Sequence, residues 1–124
     1  MIYLDTHVVV WLYAGLVEKI SEPARMLINE HEVTISPIVN LELAYLFEIE
    51  RIKSEPTILI ADLSSRIGLR VCERAFEAIV SQAMALSWTR DPFDRLIVAN
   101  ASLNDNFLVT KDKTILENYS HARW

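Results

Sequence analysis

The sequence predicts an α/β protein: a three-layer α/β/α fold built on a central, mostly parallel sheet. Three observations carry that expectation. Short apolar runs, several rich in β-branched residues, alternate along the chain with longer segments of helical spacing. Helix-opening signals, a Ser or Asp with Pro one or two residues behind, separate the runs at Ser21-Glu22-Pro23, Ser36-Pro37 and Asp91-Pro92. Only two glycines and four prolines occur in 124 residues, with no low-complexity linker and no internal repeat. Connections should therefore be short, and residues 1–124 should form one domain. Strands alternating with helices call for a parallel sheet covered on both faces.

Residues 2–5 form a short apolar run that ends in an acid, the pattern of a buried strand with a polar carboxyl end. Residues 6–15 are ambiguous by periodicity and are read as a short helix stopped near Gly15. A helix follows over residues 21–31, then a strand over residues 33–35 (Val-Thr-Ile). Ser36-Pro37 opens the next helix, which carries Leu41, Leu43, Leu46 and Phe47. Residues 56–66 and 74–86 read as amphipathic helices, with a short strand between them over residues 69–72. Asp91-Pro92 opens a helix running through Leu103. Residues 107–109 (Phe-Leu-Val) form a third clear strand, and Asp112 stands where it can cap a helix behind it. Residues 119–124 supply a further edge strand.

The composition is 52% hydrophobic with a mean hydropathy of +0.20, which excludes disorder and suits a generous core or a covered surface. No apolar run approaches the roughly 20 residues of a membrane span. The opening residues lack the basic and small-residue marks of a signal peptide, so a cytoplasmic location is expected. The single Cys72, beside Val71, reads as a buried structural thiol in a reducing compartment. Net charge is −5, which disfavours nucleic-acid binding by bulk charge. Setting aside the four candidate metal ligands named next leaves the remainder nearly neutral.

In open α/β sheets, sites form beyond the carboxyl ends of the strands. Asp5 ends the first strand, Asp112 follows the strand over residues 107–109, and Asp94 falls in the first turn of the helix opened by Asp91. Glu42 lies between Leu41 and Leu43, where an acid needs a partner because an unpaired buried carboxylate is costly. Clustered carboxylates repel one another unless a cation compensates, and a hard oxygen set suits Mg²⁺ or Mn²⁺. Such an ion can acidify a water and stabilise the charge that develops in phosphodiester cleavage. No competing chemistry is encoded: there is no Cys pair, no zinc spacing among His7, His31 and His121, no Gly-rich phosphate loop and no Gly-x-Ser-x-Gly elbow. Seventeen acids guarantee that some fall near strand ends, so placement alone does not single out a site.

Four segments change the weight of that placement: Tyr3-Leu4-Asp5-Thr6-His7-Val8-Val9-Val10-Trp11, Ile35 to Ala44 around Glu42, Arg90-Asp91-Pro92-Phe93-Asp94-Arg95 through Ala99, and Leu108-Val109-Thr110-Lys111-Asp112. In this order and spacing the chain resembles the PIN-domain family, in particular the VapC-type toxins of toxin–antitoxin pairs. The Asp-Pro-Phe-Asp-Arg run is the most specific part of the likeness. The resemblance implies an Mg²⁺-dependent RNA endonuclease, a homodimer, and a cognate antitoxin that blocks the site. It implies that Asp5, Glu42, Asp94 and Asp112 hold the metal and that Thr110 supports them. The chain departs from the subgroup at Leu41, where Trp is frequent.

Ordinary roles compete at several positions. Asp91 precedes Pro92 and suits a helix cap; Asp94 at the third helical position favours the helix dipole in any case. His7 reads as an ordinary packed or surface histidine, and Arg95 could contact phosphate or balance the acids. Trp11, Trp88 and Trp124 read as core or interface aromatics rather than base-stacking platforms. Two other functions are weighed. A catalytically inactive PIN-like binding module is disfavoured because all four acids are present. A metal-dependent phosphatase is disfavoured because His7 stands where such enzymes place the second acid of Asp-x-Asp.

Overall fold

The computed structural model describes all of residues 1–124. Its elements run β1 (Ile2–Leu4), α1 (Thr6–Ala14), α2 (Glu22–Glu30), β2 (Val33–Ile35), α3 (Pro37–Glu48), α4 (Pro56–Ile67), β3 (Arg70–Val71), α5 (Phe76–Ala83), α6 (Pro92–Ser102), β4 (Phe107–Val109), α7 (Lys113–Asn118) and β5 (Ala122–Arg123). One 3₁₀ turn, Val17–Lys19, lies between α1 and α2.

The helix starts follow from local chemistry. Ser21 Oγ accepts from the Ala24 amide at 3.2 Å, and Asp91 Oδ1 accepts from Phe93 and Asp94 amides at 2.8 and 3.2 Å. These bonds satisfy amides that a helix start leaves open, and Pro in the first turn of α2, α3, α4 and α6 needs no such partner. Gly15 and Gly68 end α1 and α4 at φ 73° and 70°, in the left-handed conformation where a side chain would be strained.

All four strand pairings are parallel, and the sheet order is β3-β2-β1-β4-β5. The chain therefore builds outward from β1 to β3 and then returns to the other side of β1. Right-handed crossovers in opposite directions put helices on opposite faces. Burial agrees: Ile2, Tyr3 and Leu4 are all 1% exposed or less, although successive strand residues point to opposite faces. Both faces of the central strand are thus covered, and the molecule has three layers. The main core joins these residues to Val33, Ile35, Leu108 and Val109 of the sheet and to Leu43, Leu63 and Ile97 of the helices. Each such side chain contributes about 1.5–3 kcal/mol by leaving water.

The differences from expectation are at element ends. The helix expected over residues 74–86 is only α5. Its carboxyl end is capped by Arg95, whose guanidinium donates to Ala83 O at 3.1 Å and Met84 O at 3.4 Å. The edge strands β3 and β5 are two residues each. Cys72 is not fully buried. It is half-buried beside a cavity of ≈ 750 Å³, and accepts from Tyr3 Oη (3.2 Å), Asn100 Nδ2 (3.3 Å) and the Arg74 amide (3.4 Å). Burial opposes its thiolate, but these hydrogen bonds prevail and lower its pKa.

Candidate active site

The order in which strands are added reverses between β1 and β4, and polar sites in open α/β sheets form at this point, beyond the strand ends. The Asp5 amide donates to Val109 O at 3.0 Å, continuing the β1–β4 ladder one residue past β1. That bond brings Asp5 beside Thr110. Thr110, fully buried, donates its hydroxyl to Asp5 Oδ2 at 2.6 Å and accepts the Asp112 amide at 3.1 Å. Asp5 Oδ1 accepts from the Thr6 amide at 2.8 Å and so caps α1. Asp5 is thus linked by one chain of hydrogen bonds to Thr110 and Asp112, more than a hundred positions away in sequence.

Glu42 reaches the same place from α3. Its partner is Thr6, whose buried hydroxyl donates to Glu42 Oε1. The partner that an acid between leucines requires is therefore a hydroxyl from the residue after Asp5. Thr6 was not singled out in the sequence, and only its position next to Asp5 pointed to it. Asp94 enters from the first turn of α6, aligned by the Asp91 cap. Asp112 enters from the start of α7, which it caps through Ile115 N at 3.0 Å.

All four expected ligands line one pocket of ≈ 350 Å³, together with His7, Val8, Trp11, Asp91 and Lys111. Thr110 lies beneath it, holding Asp5. Asp91 both caps α6 and lines the pocket. Arg95 does not line it; its guanidinium donates to Ala83 O at the end of α5 rather than balancing the acids. His7 is exposed at the rim of the pocket.

The electrostatics are those of an uncompensated acid cluster. Burial, then repulsion from Asp5, Asp91, Asp112 and Glu42, pushes the Asp94 carboxyl up to about 7. Burial raises Asp5 against the bonds from Thr110 and Thr6. Burial likewise raises Glu42, with the Asp5 charge adding to it. The donors are all hard oxygens, the chemistry Mg²⁺ and Mn²⁺ take. No three of the acids converge on a single ligating point in this side-chain arrangement. The larger cavity beside Cys72 has no comparable set of acids.

Fold and pocket together define a class: a parallel α/β domain whose polar site is a ring of acids at the sheet's reversal point. Within that class the chain belongs to the PIN domain family, whose profile matches residues 2–120. It is 33% identical over 131 residues to Ribonuclease VapC22 of Mycobacterium tuberculosis, an alignment covering 98% of this chain and 94% of that protein. Among solved structures, it resembles a toxin–antitoxin complex from Klebsiella pneumoniae with a TM-score of 0.71 at 16% identity, over 100% of this chain and 97% of that one. It also resembles VapBC2 from Rickettsia felis bound to a promoter DNA fragment, with a TM-score of 0.64 at 21% identity, over 94% and 92% of the two chains. These two likenesses concern the fold.

Proposed function

We propose that this protein is a metal-dependent RNA endonuclease and the toxin of a toxin–antitoxin pair, working in the cytoplasm. The observation that carries this reading is the gathering of acids from four distant segments, Asp5, Glu42, Asp94 and Asp112, into one pocket. The full-length likeness to a VapC ribonuclease supports it. Asp5, Glu42, Asp94 and Asp112 would hold Mg²⁺ or Mn²⁺, which supplies charge neutralisation and an acidified water for phosphodiester hydrolysis. Mg²⁺ characteristically keeps several waters and takes few carboxylates directly, which a ring of acids that do not converge can accommodate.

The protein's own groups do the positioning. Thr110 and the Thr6 amide fix the Asp5 carboxylate, and the Thr6 hydroxyl fixes Glu42. The Asp91 cap fixes the first turn of α6 and with it Asp94. Asp94 receives no hydrogen bond that would lower its pKa, so its charge is the one most dependent on a cation.

An antitoxin partner and a homodimer are part of the same proposal. Leu41, Tyr45 and Ile49, 58%, 50% and 43% exposed, follow one another at four-residue spacing along α3, beginning next to Glu42. Such a stripe at the edge of the site is the apolar surface a protein partner covers. The neighbouring structures, a toxin–antitoxin complex and VapBC2, support the antitoxin.

The purified chain should cleave RNA with Mg²⁺ or Mn²⁺ and stop when EDTA is added. Asp5→Asn and Asp94→Asn should each lose at least 100-fold in kcat, on the order of what removing key electrostatic groups costs elsewhere. Cleavage undiminished in both variants would remove these acids from the mechanism.

A further inference from the structure

Trp11 stands at the rim of the acid pocket between two cations. The ammonium groups of Lys19 and Lys111 lie 6.0 and 5.9 Å from its ring centroid. His7, one helical turn earlier on α1, is 6.1 Å away ring to ring, and Trp124 packs 6.0 Å away on another side. Trp11 is half-buried, both lysines are exposed, and Trp11, His7 and Lys111 all line the pocket.

Neither lysine pairs with a carboxylate, although Asp5, Glu42, Asp91, Asp94 and Asp112 line the same pocket. The ion pair that the molecule does form joins Arg66 to Asp62, on the exposed face of α4. Three arginines are committed to carbonyls, Arg95 to Ala83 and Met84, Arg123 to Ser120 and Ala122, and Arg90 to Ser87. Other lysines and arginines are also without a side-chain partner, but what sets Lys19 and Lys111 apart is their place at Trp11, with Lys111 lining the acid pocket. A polyanion approaching a ring of acids on a chain of net charge −5 is repelled unless local cations receive it. Here two ammonium groups without carboxylate partners lie over a half-buried ring that both packs against the core, as the sequence suggested, and lines the pocket. A base reaches the ring when these exposed, flexible lysine side chains swing onto its phosphates. That combination binds single-stranded nucleic acid, with a base on the ring and phosphates on the cations.

We propose that Trp11, Lys19 and Lys111 form a substrate-positioning subsite that seats one nucleotide of single-stranded RNA next to the phosphate being cleaved. The inference rests on the ribonuclease reading and sharpens it. A base can lie on the Trp11 ring only when it is unstacked, so the substrate class is a single strand or a loop, and duplex RNA is excluded. Stacking tolerates every base, so this subsite selects strandedness more than sequence.

The test uses the full chain and a fluorescently labelled single-stranded RNA 8-mer. Binding is read by anisotropy with Ca²⁺ present to neutralise the acids, and cleavage is read separately as kcat and KM in Mn²⁺. Trp11→Leu is expected to weaken binding about tenfold, with Trp11→Phe retaining most of the affinity. Lys19→Gln, on an exposed residue remote from the acids, is expected to lower the slope of log Kd against log salt by about 0.7. In each weakened variant KM rises while kcat stays within about twofold. The same sequence annealed as a duplex should bind poorly to wild type. Should Trp11→Leu fail to fold by circular dichroism, the Lys19→Gln salt slope and KM decide alone.

Unchanged affinity, slope and KM across folded variants would overturn the subsite and leave the patch to a protein partner. In that case cleavage by wild type would still uphold the ribonuclease reading. If wild type binds the 8-mer but never cleaves it, the ribonuclease reading falls and takes with it the placement beside a scissile phosphate; losses of affinity in the variants would then show an RNA-binding site with no part in cleavage.

Discussion

Asp5 has both carboxylate oxygens engaged by the protein, whereas the Asp94 carboxyl is shaped only by burial and like charges. The difference separates a fixed anchor from a group waiting for a cation. An Asp94 pKa of about 7 lies above the ordinary carboxylate value of 3.8. Between those values the metal-free folded chain binds a proton that the unfolded chain does not, so stability falls as pH rises through this window. The gain is complete below about pH 4 at this group and gone above about 7. The melting temperature of the metal-free protein should therefore rise on going from pH 7.5 to 5.5. Asp94→Asn should flatten that rise and melt higher than wild type at pH 7.5. A wild-type profile that climbs with pH instead would contradict the acid cluster as described. Thr110→Val removes the donor to Asp5 and the acceptor for the Asp112 amide, at a cost of about 1.5–3 kcal/mol in a denaturant titration. Thr110→Ser should restore most of it. Asp5, Asp94 and Asp112 stood out in the sequence because strand ends and helix starts are local features, and Glu42 because it lies between leucines; it was the family resemblance, not placement, that picked these four from seventeen acids. Thr6 did not stand out, because its bond to Glu42 spans 36 residues and depends on α1 meeting α3.

At the scale of elements, cap chemistry and apolar runs predicted the strands and the helices through α6, whereas α7 was foreseen only as a helix Asp112 could cap and the 3₁₀ turn at Val17–Lys19 was not foreseen. The ends failed mainly where they depend on a distant side chain. The early stop of α5 is the clearest case: Arg95, twelve residues beyond Ala83, takes its terminal carbonyls. Sheet order was also illegible, since β1 pairs with β4 across more than a hundred residues and no local signal encodes that pairing. Asp91 shows how an element and a site share one residue. Asp91→Ala should cost about 0.5–2 kcal/mol by loss of the cap. Asp91→Ser should recover the stability, and in both variants cleavage should fall less than in Asp94→Asn. A Ser variant as unstable as Ala would mean that the carboxylate holds α6 by something other than capping.

For the molecule as a whole, repulsion inside one pocket is balanced against a core that covers both faces of the sheet. Ligands that bind only the folded state stabilise it by mass action. Millimolar Mn²⁺ should therefore raise the melting temperature of wild type at pH 7.5, and raise it much less in Asp5→Asn. Equal shifts in both would locate the ion elsewhere. No helix is long and apolar enough to cross a membrane. The exposed apolar side chains along α3, and Phe76 and Met84 on and just after α5, are instead available to protein partners. Leu41→Glu with Tyr45→Glu should weaken antitoxin binding at least tenfold while leaving the monomer's melting temperature nearly unchanged. That outcome can be read by titrating the antitoxin against cleavage.

The bond from Thr110 to Asp5 has a consequence in time as well as space. Its partners lie 105 residues apart, and β1 cannot take its place beside β4 until both exist. Synthesis proceeds at about 5–20 residues per second from the amino end. A growing chain therefore carries Asp5, and later Glu42 and Asp94, for seconds without the strand that seats the first of them. The pocket is completed only as the last strands emerge. A protein that attacks RNA would in this way remain harmless to the message and ribosome producing it until its own translation was nearly finished.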